Sequence, residues 1–108
     1  MIIRGAAGRA EFNESRMGKV SLASGGNLYA GLNCFLPGQE HKAHVHAGQD
    51  KMYVVLDGQG VATVGEVSEG VGEGDVVFAP AGVPHGIRND GAGPLVVLTV
   101  FAPPPARG

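Results

Sequence analysis

Three of the chain's four histidines fall within six positions of the segment HKAHVHAGQDKMYVVLDG, residues 41–58, and an acid and a lysine follow them closely. His44 and His46 are two residues apart, and on an extended strand such residues share a face about 6.6 Å apart. Two imidazoles so placed can converge on one cation at about 2.1 Å from each nitrogen, so the chemistry on offer is metal binding. A His-X-His pair alone is weak evidence, because such pairs also arise by chance or serve as buried hydrogen-bonding groups. His85 strengthens it: this fourth histidine follows a second strand and turn in VVFAPAGVPHGIRN, so all four lie in two short segments.

The elements that must position these residues are strands. Glycine supplies 19 of 108 residues and proline seven, without a collagen-like period, and they punctuate short segments rich in Val, Leu, Tyr and Phe. LYAGLNCFLP (28–37), KMYVVLD (51–57), GVATVG (60–65), DVVFAP (75–80) and PLVVLTVF (94–101) are separated by PG, DG, EG, AG and NDG turn signals. The pattern predicts an all-β sandwich or barrel. Residues 6–18 lack a sustained 3.6-residue apolar period and read as an arm or short turn. The boundaries expected are an N-terminal arm or edge strand at 1–20, a barrel at 21–102 and a tail at 103–108, APPPARG having the composition of a frayed end.

At this length the chain is one domain with one core, and 44% hydrophobic residues suffice to build it. Net charge is -2 and the Lys and Arg residues form no run, which argues against nucleic acid or an anionic membrane as partner. Cys34 is the only cysteine, so no internal disulfide is available and a reducing cytoplasm is the expected compartment. MIIRGAAGRAEFNESRMGK has no apolar leader core, and no apolar run approaches the ~20 residues of a membrane span. In the strand near 95–101, Leu95, Val97 and Phe101 alternate with Val96, Leu98 and Val100, so both faces are apolar. One face must be covered by the arm or by a second subunit, and a homodimer is expected on that ground.

The spacing of Gly38, five residues, His44-Val45-His46, and then a strand ending at Gly58 resembles the first motif of the cupin superfamily. Gly74, five residues, Pro80, one, Gly82, two, His85, three, Asn89 matches the second motif at each fixed position. The fifteen residues between Gly58 and Gly74 also resemble the inter-motif gap of small bacterial single-barrel cupins. The resemblance implies a double-stranded β-helix, or jelly roll, with a divalent metal (Zn, Ni, Fe or Mn) held inside by His44, His46 and His85 plus a carboxylate. That carboxylate is missing, because Lys51 stands where the family has its glutamate.

Several arrangements remain open. Asp50, separated from His46 by three residues, could turn inward through a register slip or bulge that leaves Lys51 in solvent. Gln49 shares the parity of Lys51 and offers a neutral amide oxygen. A three-histidine ion could keep water in its open positions. Or there is no metal, and the Lys51 ammonium itself draws an anion. Tyr53 shares the Lys51 parity and brings a hydroxyl to the pocket, while His41 stands at the rim or mouth. Two functions follow: a metal-dependent enzyme on a small carbonyl or hydroxy-acid metabolite, or a metal-free, non-catalytic binding module for a small anion. No residue is assigned a catalytic role, and the resemblance passes on no particular reaction.

Overall fold

The computed structural model describes residues 1–45 and 48–104, with Ala43 and His44 described through their backbone alone. A 3-10 turn at Ala6–Arg9 precedes β1 (Gly18–Ser24), β2 (Tyr29–Phe35), β3 (Glu40–His44), β4 (Asp50–Asp57), β5 (Gln59–Val64), β6 (Val67–Gly72), β7 (Val76–Ala79), β8 (His85–Arg88) and β9 (Leu95–Ala102). Two antiparallel sheets result, ordered β1-β2-β9-β4-β7 and β3-β8-β5-β6. This is the all-β jelly roll, the double-stranded β-helix. Among the described residues no helix is long and apolar enough to cross a membrane.

The segments expected as strands became β2, β4, β5, β7 and β9. Strands β1, β3, β6 and β8 had no comparable signal, and their sequences say why. β6, VSEGVG, is a sheet edge with its first four residues exposed, so it needs no apolar side. EHKAH (β3) and HGIR (β8) are polar, and their mutual ladder makes them strands. β1 begins at Gly18, within the stretch 1–20 read as arm or edge strand, and forms the edge of its sheet beside β2. A side chain at Gly18 would overlap the Glu11 carbonyl, so glycine lets the arm cross β1 closely.

Apolar alternation sets which way each strand faces. Phe35, Tyr53, Val55, Ala62, Val77, Ile87, Leu95 and Val97 gather between the sheets as the core. A second cluster, Leu32, Cys34 and Val96, lies on the outer side of the five-stranded sheet, with Ala10, Val20 and Leu22 packed against it. The N-terminal arm thus covers part of the outer apolar face. The β4-β5 turn passes through Gly58 at φ 85°, where any Cβ would also strike the Pro94 carbonyl. Asn89 is fully buried and closes the turn after β8: its Nδ2 donates to the carbonyls of Phe35 (3.0 Å) and Gly93 (2.9 Å), and its Oδ1 accepts from Gly91 N–H (3.0 Å).

Candidate functional site

β4 lies between β9 and β7, and its register places Lys51 opposite Phe101 and Ala79, Tyr53 opposite Thr99 and Val77, and Val55 opposite Val97. Because side chains alternate across a strand, Lys51, Tyr53 and Val55 share the inward face. Lys51 is 2% exposed and Tyr53 fully buried, so the lysine enters the barrel. Asp50 points the other way: it is exposed, and its Oδ1 accepts from Ala81 N–H at 2.9 Å. Gln49 is engaged through Nε2, which donates to the Pro103 carbonyl at 2.9 Å. Neither side chain is turned toward the interior in this structure.

Inside, the Lys51 Nζ lies 4.8 Å from the Tyr53 ring centroid and 4.6 Å from that of Phe101. Those ring faces attract the cation. Yet Nζ, the Tyr53 hydroxyl and the Thr99 hydroxyl are all buried and have no hydrogen-bond partner among the described residues. Burial, helped by the charge of Lys19, lowers the Lys51 pKa from 10.5 to about 8. Burial also raises the Tyr53 pKa, so that phenol stays protonated and able to donate. No Asp or Glu is buried among the described residues, leaving an interior with no described carboxylate to balance the lysine.

The histidines come from the other sheet. β3 pairs with β8 so that His44 is directly opposite His85, with a bulge between His41 and His44. His85 is buried, and its Nδ1 lies 3.0 Å from the Val83 carbonyl. A carbonyl can only accept, so Nδ1 donates to it, and in the neutral ring the lone pair then lies on Nε2, the tautomer a metal-ligating imidazole uses. The His85 ring meets Tyr53 edge-on at 6.1 Å, joining the histidine side of the barrel to the lysine side. His41 is half-buried opposite Ile87. His46 lies outside the described residues, and of His44 only the strand position is described.

The structure therefore brings Lys51, Tyr53 and His85 together and directs Asp50 and Gln49 elsewhere. On the β3-β8 ladder, His85 and the His44 position are direct cross-strand neighbours. Thr99 and Phe101, on β9, stand directly opposite Tyr53 and Lys51. Thr99 escaped sequence reading, although it is the single polar residue in the alternating series Leu95, Val97, Thr99, Phe101.

Residues 31–101 match the family model described as the cupin domain. An uncharacterised protein of Streptomyces coelicolor is 38% identical over 78 residues, 72% of each chain. Among crystal structures, TT1209 of Thermus thermophilus has a TM-score of 0.92 and 41% identity, covering 97% of this chain and 100% of that one. An RmlC-like cupin protein of Desulfovibrio desulfuricans has a TM-score of 0.86 and 27% identity, covering 97% and 99%.

Proposed function

The chain belongs to the cupin domain family, and from that premise we propose that its barrel interior takes a small hydroxy- or keto-acid anion. Lys51 meets the carboxylate, Tyr53 and Thr99 hydrogen-bond the remaining oxygens, and His44, His46 and His85 hold a divalent ion (Zn, Ni, Fe or Mn) beside it. The observation that carries this reading is the trio of buried polar atoms, Lys51 Nζ, Tyr53 hydroxyl and Thr99 hydroxyl, at neighbouring paired positions with no partner among the described residues. Buried polar groups are ordinarily satisfied, and a ligand with several oxygens satisfies all three together.

Charge narrows the ligand class. Neutral imidazoles leave a bound cation its full charge, and the ammonium adds another, so the ligand must be an anion. When bound, the ion polarises a carbonyl or hydroxyl oxygen. Lys51, with its pKa lowered to about 8, can hold a proton for a ligand oxygen or accept one from it near neutral pH. Tyr53 orients the ligand as a donor. The enclosed interior of a small barrel limits the guest to one small molecule.

A second reading, capture of the anion with neither metal nor turnover, is supported by the same lysine, which brings positive charge where the family has an acidic ligand. The two readings separate in one set of measurements on untagged protein purified without chelator. Elemental analysis is expected to find about one metal per chain, falling as pH drops through about 6 as the histidines protonate. His44→Ala combined with His85→Ala should abolish it. Lactate, pyruvate, glycerate and malate are then titrated by calorimetry against the wild type and Lys51→Met, and binding lost in Lys51→Met supports an acid-binding pocket. Anion binding through Lys51 by a protein that takes up no Zn, Ni, Fe or Mn selects the second reading. Absence of both metal uptake and Lys51-dependent acid binding sinks both.

A further inference from the structure

A lysine is almost never fully buried unless it is paired. This chain has three, Lys19, Lys42 and Lys51. The first two are exposed, whereas Lys51 is 2% exposed and its Nζ has no hydrogen-bond partner among the described residues. Attracting an anion does not require such burial, since an exposed lysine does so without the desolvation cost. What burial changes is the nitrogen's chemistry, because it favours the neutral amine and so frees a lone pair.

The surroundings act in that direction. The walls nearest Nζ are the Tyr53 and Phe101 rings, at 4.8 and 4.6 Å, which accept no ordinary hydrogen bond from it. Lys19 brings a second positive charge to the same side of the sheet: it pairs with Asn33, which pairs with Val97 of the core, so Lys19 stands on the inner face. Burial first, and the Lys19 charge second, bring the Lys51 pKa to about 8. At pH 7 roughly a tenth of the molecules then carry the neutral amine, about 300-fold more than for a lysine at 10.5. Desolvation and a neighbouring cation are the two means by which a lysine is activated toward carbonyl carbon. Such an amine also needs a proton relay beside it. Tyr53 follows two residues along on the same face, Thr99 stands opposite Tyr53, and both hydroxyls are buried without partners among the described residues. A hydroxyl both accepts and donates.

We propose that Lys51 is a covalent nucleophile, its Nζ condensing with the ketone carbon of a small 2-keto acid to form an imine inside the barrel. The inference rests on the acid-binding reading above and narrows its guest: in a 2-keto acid the ketone carbon is bonded directly to the carboxylate that Lys51 meets, so one nitrogen reaches both. The lone pair of the neutral amine forms the C–N bond while the C=O π pair moves onto oxygen. Both amine protons pass to that oxygen, relayed by the Tyr53 hydroxyl, and it departs as water as the C=N bond closes. No oxidant or reductant is consumed. A hydroxy acid offers no electrophilic ketone and stays non-covalently bound.

Reductive trapping on the full-length, untagged protein as purified tests this. Wild type is incubated at pH 7 with pyruvate and sodium cyanoborohydride, which fixes an imine as a stable secondary amine, and its peptides are mapped by mass spectrometry. The reduced adduct should form at Lys51 at least ~10-fold faster than at Lys19 or Lys42, the solvated controls within the same chain, and the map separates all three from the N-terminal amine. Lactate should leave no adduct. Lys51→Arg, which keeps the charge without a nucleophilic amine, should lose the Lys51-peptide adduct, and Tyr53→Phe should slow trapping at least ~10-fold. Equal labelling of the three lysines, or labelling that spares Lys51, overturns the inference, and an unchanged rate in Tyr53→Phe overturns the relay. Calorimetry separates the two readings. Pyruvate and lactate binding that is lost in Lys51→Met, with no adduct at Lys51, leaves the acid-binding reading standing and removes the covalent step. Absence of both binding and adduct removes both.

Discussion

Two ends of the same barrel interior are built from the same pair of strands, and they differ within three paired positions. At one end Val55 faces Val97 beside Phe35 and Leu95, all buried and apolar. At the other, Lys51 faces Phe101, with Tyr53 and Thr99 between the two ends. The apolar end removes hydrocarbon from water and leaves no polar atom wanting; the polar end buries an ammonium and two hydroxyls without described partners. One end holds the fold and the other burdens it, which is the division expected where function opposes stability.

The comparison is most exposed to failure at the apolar end. Phe35→Ala should cost ~3–5 kcal/mol and Leu95→Ala ~2–5 kcal/mol in urea unfolding, since each leaves a cavity in a closed layer. A cost under ~1 kcal/mol would mean that this end does not carry the fold. Lys51→Met should have the opposite sign. It exchanges a buried charge for a side chain of similar length, and without ligand the variant should gain ~1–3 kcal/mol at pH 7. Destabilisation there would mean that the ammonium has a partner within the protein.

pH sharpens the same contrast. With the folded-state pKa of Lys51 lowered to about 8 and the unfolded value near 10.5, the native chain binds fewer protons between those limits. Stability attributable to Lys51 therefore rises with pH from about 8 to about 10.5, and its cost is full below that window. Cys34 acts in the opposite sense: burial raises its pKa, so the unfolded chain ionises first and stability falls at alkaline pH. The quantity to measure, on chelator-treated protein, is the stability difference between wild type and Lys51→Met at each pH, in which the Cys34 contribution cancels. That difference should shrink steadily from about pH 8 to about 10.5, and a flat difference would place the Lys51 titration elsewhere.

The two ends are unequally legible in the sequence. Leu95, Val97 and Val55 announce themselves as core by alternation within strands bounded by glycine and proline. Lys51 does not, because parity alone cannot decide whether a bulge has slipped the strand by one residue. The register settles it through pairs, Lys51 with Ala79 and Phe101, which are long-range contacts invisible to local pattern. β3 and β8 are hidden for a related reason: five polar or small residues become a strand only once His44 meets His85 across the ladder. The histidine and glycine spacings, by contrast, are local, and so both motifs and the fold they imply are legible in the residue order alone.

The smallest expected effect is also the most discriminating. Tyr53→Phe removes a single hydroxyl from the boundary between the two ends while keeping the ring that packs beside Lys51 and His85. A buried hydroxyl without a partner carries its desolvation cost and returns nothing, so in the absence of ligand the variant should be more stable by ~0.5–1 kcal/mol. Thr99→Val should behave alike, since its hydroxyl sits at the paired position in the same condition. Both should bind the acid ligand less tightly, by roughly 5–10-fold, the loss of one neutral hydrogen bond. The pairing of these signs is the test: a hydroxyl that only packs shows no loss of binding on removal, and one bonded within the protein makes its removal destabilising. Only a hydroxyl reserved for a guest gives gain in the empty barrel and loss in the filled one, and urea midpoints with and without ligand measure both on the same sample.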